Sequence, residues 1–225
     1  MVRNRKSVSK RLVCYAFIDA ANLFYGGRKS LGWSIDYRKL LKYLKNKFGV
    51  KKLFYYAGVE INNFRYDPLA PKPIDLERFL GFLLKKLNGK PLSRTQITLL
   101  KKHIQRVKFY RKLKSFGYTL RLKPTKIYKE GNRTIKKANC DVDMAFDLMR
   151  YMSQYQKLII LSGDGDFAIV LRYLKSKKKK IRILARSERT AKEIKRLAGK
   201  NFMDFHYLRE QLKFEEGDEK EKVDK

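Results

Sequence analysis

Cysteine and histidine are scarce in this sequence. Cys14 lies inside an apolar run and Cys140 beside an acidic motif, and they are the only cysteines among 225 residues. Two isolated cysteines of this kind indicate neither a disulfide framework nor a cysteine-rich zinc site, so we expect a reducing, cytoplasmic location. His103 and His206 are the only histidines, and neither has the spacing of a metal ligand. We expect both to be ordinary surface or interface residues.

Long apolar stretches are also missing. No segment approaches the roughly 20 apolar residues that a helix needs to span a bilayer. The start, MVRNRKSVSKR followed by LVCYAFI, imitates a secretory signal, but Asp19 ends the apolar run at the minimal length of such a signal. We interpret residues 1–11 as a basic arm that precedes a buried strand, and we expect no membrane partner.

Acidic residues are few compared with basic ones. The chain carries 55 Lys and Arg against 22 Asp and Glu, a formal charge of +33. Lysine-rich surfaces also occur in thermophilic proteins, but those usually carry matching glutamates in ion-pair networks, which are missing here. The excess indicates a polyanionic partner, and we expect nucleic acid well ahead of a membrane surface. Five basic residues of the arm are predicted to contact phosphates: Arg3, Arg5, Lys6, Lys10 and Arg11.

Continuous apolar runs predict the central strands of a parallel sheet. Hydrophobic residues make up 44% of the chain, which is enough for a real core. Four runs lack polar alternation, as do strands covered on both faces: 12–18, 53–59, 158–161 and 181–185. Apolar residues at helical spacing follow in segments that begin near Leu40, Met144 and Phe167. This alternation predicts an α/β fold with a doubly wound, mostly parallel sheet and helices on both faces.

One main domain is predicted to hold most of the chain, because 225 residues suit a single α/β domain with an insertion. Residues 60–106 contain a Pro- and Asn-rich loop and two helical patterns, and we interpret them as a helical insertion. Alternation from Tyr118 to Leu122 predicts another strand, and Glu130-Gly131-Asn132 predicts a turn after it. Three segments result: the arm at 1–11, the folded domain at 12–213, and a polar tail at 214–225 that we expect to be disordered.

Aspartates stand where an α/β sheet places its ligands, at strand ends and helix starts. Asp19 ends the first strand in FIDAANLF, and Asp141 opens a helix in KKANCDVDMAFDLM. Asp164 and Asp166 end the fourth strand in LIILSGDGDF. A single aspartate after a strand is often only an N-cap, worth roughly 1 kcal/mol of helix stability. A cap needs only one carboxylate, whereas LIILSGDGDF places two close together. We expect Gly163 and Gly165 to let the backbone turn tightly enough for this.

The crowded carboxylates predict a divalent cation. Like charges held this close repel, and at neutral pH a bound cation relieves the repulsion better than a shared proton does. Oxygen ligands without His or Cys favour Mg²⁺ or Mn²⁺ over zinc. In a strongly basic protein, such a site indicates hydrolysis of a phosphodiester by metal-activated water.

Three segments in this order, FIDAANLF, KKANCDVDMAFDLM and LSGDGDF, resemble the motifs of the NYN branch of PIN-like nucleases. The resemblance implies a PIN-like fold and a Mg²⁺- or Mn²⁺-dependent endoribonuclease that acts on single-stranded or structured RNA. It also implies a catalytic, metal-binding site of four aspartates: Asp19, Asp141, Asp164 and Asp166. Asn22 and Ser162 look like the supporting polar residues of the family.

Three more residues near the second motif are candidates. Many relatives have Gly after the lysine that precedes the helix of this segment, whereas here Ala138 follows Lys137. We expect Lys137 to face phosphate. Asp143 and Asp147 lie four residues apart on one helix face. They either support the metal ligands or belong to a solvated helix face, and the sequence does not separate these alternatives.

Other functions compete with this interpretation. The GDGD segment also resembles the acidic loop of haloacid-dehalogenase-type phosphatases, but these need two acids after the first strand, where this chain has Asp19-Ala20-Ala21. A dinucleotide-binding loop is disfavoured, because Asp164 and Asp166 would repel a pyrophosphate.

A non-catalytic RNA-binding or nucleic-acid-binding protein on a PIN-like fold is the alternative from another class, since the charge alone gives salt-dependent binding. An acidic pocket hinders phosphate binding unless a metal bridges the carboxylates and the phosphate. This argues against a protein that only binds nucleic acid. Charge does not distinguish RNA from DNA, so the expectation of RNA rests on the family resemblance. The sequence also leaves open whether the chain forms a homo-oligomer.

Overall fold

The computed structural model describes residues 12–26, 32–61, 63–67, 69, 72–89, 91–130 and 133–215. Three predicted features fall on other residues: the basic arm at 1–11, the centre of the turn at Gly131 and Asn132, and the tail from residue 216 onward. Among the described residues, no helix is both long enough and apolar enough to cross a membrane.

A parallel sheet forms the centre of the protein. The strands of the described chain are β1 (Cys14–Asp19), β2 (Val50–Val59), β3 (Thr119–Pro124), β4 (Lys126–Glu130), β5 (Arg133–Lys137), β6 (Lys157–Leu161), β7 (Lys180–Ala185) and β8 (Phe202–Asp204). β4 and β5 form a separate antiparallel pair, and the other six form one sheet in the order β3-β2-β1-β6-β7-β8. All neighbouring strands of this sheet are parallel. The four apolar runs are β1, β2, β6 and β7, as predicted.

The strand order reverses at the middle of the sheet. From β1 the chain goes to β2 and β3 on one side, and later to β6, β7 and β8 on the other. Parallel α/β sheets bind ligands at such a reversal, beyond the carboxyl ends of the strands. Asp19, at the end of β1, and the loop after Leu161, at the end of β6, therefore lie at the expected place for a site.

Helices cover both faces of the sheet. They are α1 (Ala20–Gly26), α2 (Tyr37–Phe48), α3 (Leu76–Asn88), α4 (Arg94–Phe116), α5 (Asp141–Arg150), α6 (Ala168–Ser176), α7 (Lys192–Ala198) and α8 (Arg209–Leu212). Side chains alternate along β1: Cys14, Ala16 and Ile18 pack in the core with α1, α2, α3, α4 and α8. Tyr15 and Phe17 pack in the other core, with α5, α6 and α7. The predicted doubly wound α/β sheet with helices on both faces is confirmed.

The segment predicted as a helical insertion connects two neighbouring parallel strands. α3 and α4 lie between β2 and β3, and both pack in the core on one face of the sheet. Ser93 and Gln96 form a capping box at the start of α4. The helix continues to Phe116, past the predicted limit at residue 106, and ends where Gly117 adopts φ 101°.

The C-terminal end of the described chain is tied to the body. Lys213 forms an antiparallel bridge with Ile35, and the amide of Phe214 donates to the carbonyl oxygen of Ser34 at 2.8 Å. Phe214, predicted to begin the tail, is therefore part of the folded domain. Disorder of the remaining tail stays a prediction, since residues 216–225 lie outside the described part.

Candidate metal and catalytic site

Three of the four predicted metal ligands come together beside the reversal point of the sheet. Asp141 is the first residue of α5, Asp164 follows β6, and Asp166 lies in the short 3-10 turn before α6. Each offers a carboxylate oxygen within 4.8 Å of the other two. Three carboxylates at this distance repel unless a cation or a proton lies between them. The all-oxygen donor set fits Mg²⁺ or Mn²⁺.

Asp19 adjoins this group and makes its own hydrogen bonds. Its Oδ1 accepts from the backbone amides of Ala21 at 2.9 Å and Asn22 at 3.2 Å, and its Oδ2 accepts from the Ser162 hydroxyl at 3.1 Å. Burial raises the pKa of Asp19, and the charge of Asp164 raises it further, while the three hydrogen bonds oppose the rise. The side chain therefore anchors the start of α1, and its role as a metal ligand stays a prediction.

The predicted supporting residues connect the acidic loop to β1 and α1. Ser162 donates to Asp19, and its hydroxyl oxygen accepts from the backbone amide of Asp164 at 3.2 Å. Asn22 Oδ1 accepts from the backbone amide of Gly163 at 3.1 Å. Both positions are consistent with support of the acids, because these bonds fix the loop that carries Asp164.

The glycines of this loop are needed for space rather than for a left-handed turn. Neither Gly163 nor Gly165 has a positive φ, so the turn does not depend on a left-handed glycine. A Cβ on Gly163 would lie 2.5 Å from Thr190 Oγ1, and one on Gly165 would collide with the Glu193 carboxylate. The small residues therefore let the loop pack directly against the segment that leads into α7.

Asp143 and Asp147 hold α5 against the neighbouring strands. Asp147 is buried, and its Oδ2 accepts from Arg121 Nε at 2.7 Å and from the Tyr56 hydroxyl at 3.0 Å. Asp143 Oδ2 lies 2.7 Å from Lys123 Nζ. The alternative of a solvated helix face is therefore wrong for Asp147. Neither residue belongs to the acidic group, so any support that they give passes through the position of α5.

A cavity of about 300 Å³ opens beside the acids. Asp19, Asp141 and Asp164 line it, together with two residues that the sequence analysis missed, Tyr56 and Arg189. Arg189 lies in the loop after β7, and its position beyond the carboxyl end of a strand was the signal that could have identified it. Arg189 is the basic residue among those that line this cavity in the described chain.

Neither cysteine nor histidine belongs to the group of candidate metal ligands in the described chain. Cys140 lines the cavity, but burial raises the pKa of its thiol to about 12, helped by the charge of Asp143. The thiol is therefore protonated at neutral pH and a poor ligand or nucleophile. His103 is buried with its Nε2 3.4 Å from Glu60, so its expected surface position is wrong, whereas His206 is exposed.

Several predicted phosphate contacts fall outside the described residues. Lys137 ends β5, where its backbone pairs with Lys126, but its side chain is not among the described ones. The same holds for every basic residue of the arm: Arg3, Arg5, Lys6, Lys10 and Arg11. Their roles remain predictions.

The contact between Gly58 and Ala138 yields a test of the packing just before α5. A Cβ on Gly58 would lie 2.5 Å from the Cβ of Ala138 and 3.2 Å from Thr125 Oγ1. Gly58→Ala should therefore lower the free energy of unfolding by about 1–3 kcal/mol, as overpacking usually does. Denaturant titration measures this loss.

The reciprocal exchange is the control for this prediction. Gly58→Ala combined with Ala138→Gly moves one methyl group across the contact and should recover most of the lost stability. If the double variant is as unstable as Gly58→Ala alone, the clash lies elsewhere, and Ala138 does not depend on Gly58 for its space.

Similarity to known proteins agrees with this fold. The NYN domain model matches residues 15–207. The chain is 26% identical over 198 residues to "Low amplitude and bright protein LabA" of Synechococcus elongatus, across 86% of this chain and 83% of that protein. Its fold is similar to the crystal structure of a protein of unknown function from Vibrio parahaemolyticus, with a TM-score of 0.57 and 18% identity, over 87% of this chain and 94% of the other. The chain belongs to the NYN domain family.

Proposed function

We propose that the protein is a Mg²⁺- or Mn²⁺-dependent endoribonuclease of the PIN-like type. The observation that carries the proposal is the group of three carboxylates, Asp141, Asp164 and Asp166, within 4.8 Å of one another in a chain of formal charge +33. Capping accounts for a single acid at this edge of the sheet, but it does not require three carboxylates within reach of one cation. Membership of the NYN family supports the same activity.

Different residues of the site would bind the cation and the substrate. Asp141, Asp164 and Asp166 would hold the cation, with Asp19 as the predicted fourth ligand. A divalent cation bound there supplies an activated water and neutralises charge that develops on the phosphodiester. Arg189 would bind a phosphate oxygen at the cavity, and Ser162 would keep the loop of Asp164 in place.

The charges of the surface and of the site imply that the protein binds RNA without a metal but needs a cation to cleave it. The basic surface attracts RNA without a metal, whereas the acidic group repels its phosphates. We therefore expect RNA to bind the protein in the presence of chelator, but with no scissile phosphate seated among the acids. Addition of the cation would convert the acidic group from a repulsive to an attractive one.

The alternative phosphatase function has little support from the site. Such an enzyme would use Asp19 as its nucleophile, yet both carboxylate oxygens of Asp19 accept hydrogen bonds from the chain itself. The second acid of the phosphatase motif is also absent, since Ala21 stands in its place.

The decisive experiment is incubation of the protein with labelled single-stranded RNA and DNA, with Mg²⁺, with Mn²⁺ and with chelator. We expect internal cleavage of RNA with either metal and none with chelator. If DNA is cleaved at an equal rate, the protein is a nuclease, but its substrate is not restricted to RNA. Tight binding of RNA without cleavage in any condition would favour the non-catalytic binding protein.

The basic arm should add binding without sequence preference. Deletion of residues 2–10 removes Arg3, Arg5, Lys6 and Lys10. For a single strand, each lost phosphate contact should reduce the slope of log affinity against log salt by about 0.7. Binding isotherms at several salt concentrations measure this slope, and an unchanged slope would show that the arm does not touch the phosphates.

A further inference from the structure

A second cavity, of about 430 Å³, lies at the edge of the sheet opposite to the acidic group. It opens where β6 and β7 begin, and residues from the ends of α2, α6 and α7 also line it. Six cationic side chains line this basic cavity: Lys47, Lys157, Lys175, Lys179, Lys180 and Arg182. No Asp or Glu is among its lining residues in the described chain. The cavity therefore concentrates positive charge at one place.

The strand register forces these charges together. Lys157 at the start of β6 is the direct partner of Lys180 at the start of β7. Arg182 follows Lys180 by two residues, so both point to the same face of the sheet. Like charges directly opposite each other on neighbouring strands are destabilising. An anion bound between these side chains would relieve the repulsion.

Within the described chain, none of the six cations forms an ion pair with an acid. Lys175 Nζ donates to the carbonyl oxygen of Leu197 at 2.9 Å, and Lys179 Nζ donates to that of Tyr155 at 2.7 Å. The Arg182 guanidinium lies 5.1 Å from the centre of the Phe48 ring. These contacts hold three of the six cations in place but leave their charges without a carboxylate.

The shape of the cavity strengthens its attraction for anions. Apolar side chains, among them Phe48, Leu158, Ile181 and Leu197, form part of its wall. A cleft of one sign of charge with apolar walls focuses the electric field and raises the local concentration of counter-ions. A concave group of six cations suits a ligand with several linked phosphates rather than a single small anion.

We propose that this basic cavity is a second binding site for the RNA strand, which contacts its phosphate backbone away from the site of cleavage. The proposal rests on the proposed function for the identity of the ligand. The two cavities lie at opposite ends of β6, whose five residues span roughly 16 Å at the usual rise per residue. Because β6 is buried on both faces, an RNA strand that contacts both cavities has to run over the surface between them. Only a long substrate therefore gains the affinity of the second site.

The test removes two of the cations and measures RNA binding without catalysis. Lys157→Gln/Lys180→Gln is compared with Lys101→Gln/Lys102→Gln, which removes the same charge from exposed positions of α4. Binding of long and very short RNA is measured in chelator at several salt concentrations. For the long RNA, the cavity variant should reduce the slope of log affinity against log salt by about 1.4, which corresponds to two phosphate contacts on a single strand. The control variant should keep the slope of wild type, and the very short RNA should bind both variants equally.

Competition with inorganic tripolyphosphate and with a nucleoside triphosphate identifies the ligand chemistry. Both should displace long RNA from wild type more effectively than from the cavity variant. If both bind at the cavity while the RNA slope is the same for wild type and variant, the site takes a small phosphorylated ligand and the RNA proposal is overturned. An equal effect of the cavity and control variants on RNA would also overturn it, since general surface charge would then suffice.

Thermal melts in low salt separate a folding defect from a binding defect. The cavity variant should melt no lower than wild type, because it removes a repelling pair. Since binding is measured in chelator, a failure of RNA cleavage would remove the proposed ribonuclease and leave the binding result standing. If cleavage persists while the cavity variant binds RNA as wild type does, the second binding site is wrong and the proposed ribonuclease stands.

Discussion

Asp164→Asn is expected to reduce RNA hydrolysis by orders of magnitude while RNA affinity stays nearly unchanged. The substitution removes one of the three carboxylates that would hold the cation, and loss of a metal ligand removes the chemistry that the metal supplies. Affinity depends mainly on the basic surface, which one asparagine among the acids hardly alters. Cleavage rates and binding isotherms are measured on the same folded protein.

The fold should tolerate this substitution. Asp164 Oδ1 accepts from the backbone amide of Asp166 at 3.0 Å, and the carbonyl oxygen of an asparagine accepts the same bond. Asparagine and aspartate are about equally good as capping residues. A loss of cleavage therefore reports on the carboxylate rather than on the loop.

Asp204→Asn is a matched control for this prediction. Asp204 is the last residue of β8, whereas Asp164 lies in the loop after β6. The local hydrogen bond is the same, because Asp204 Oδ1 accepts from the backbone amide two residues later, in His206, also at 3.0 Å. The backbone is similar too, with φ −78° and ψ 132° against φ −72° and ψ 128°. Asp204 lies outside the acidic group, so its variant should cleave as wild type. Near-wild-type cleavage by Asp164→Asn would remove Asp164 from the site.

The fold was largely predictable because its central strands are buried on both faces. β1 shows only apolar residues up to Asp19, since alternate side chains enter two different cores. Such a run marks a strand without any knowledge of its neighbours. The positions of Asp19 and Asp164 followed from the same rule, because each lies at or just beyond a predicted strand end and ligands gather at these ends.

The partners of individual side chains could not be predicted in this way. Arg121 and Lys123 alternate with Leu120 and Leu122 along β3, and this alternation indicates no partner for either of them. They contact Asp147 and Asp143, which lie 26 and 20 residues further along the chain. Local periodicity gives the face of a strand, but it does not tell which of 55 basic residues will meet a given acid.

The loop glycines show a second limit of the sequence. Gly163 is required because Thr190, which is distant in sequence, packs against it. A sequence shows that a residue is small, but only the packed structure shows whether the reason is a dihedral angle or a neighbouring atom. Arg189 differs from these glycines, because its place after a predicted strand was visible in the sequence. Only the structure shows that β7 ends beside β6 and brings this residue to the cavity.

Millimolar Mn²⁺ or Mg²⁺ is expected to raise the melting temperature of wild type, and Asp141→Asn should lose much of this gain. A ligand that binds the native state at a hundredfold excess over Kd stabilises it by about 2.7 kcal/mol, or roughly 5–10 °C for a chain of this size. Asp19→Asn should reduce the gain less, because both oxygens of Asp19 already accept hydrogen bonds from the chain. Thermal melts with metal and with chelator measure the differences.

Without metal, Asp141→Asn should be at least as stable as wild type. The substitution relieves repulsion within the acidic group, and this offsets the loss of a negative charge at the start of α5, worth about 0.3–1 kcal/mol. Asp143→Asn is the control, since it removes the same charge from the same helical turn outside the acidic group. It should lose some stability with its Lys123 ion pair but respond to Mn²⁺ as wild type does. If Asp141→Asn also keeps the full response and is less stable in chelator, Asp141 only favours the start of α5, and the shared metal site is wrong.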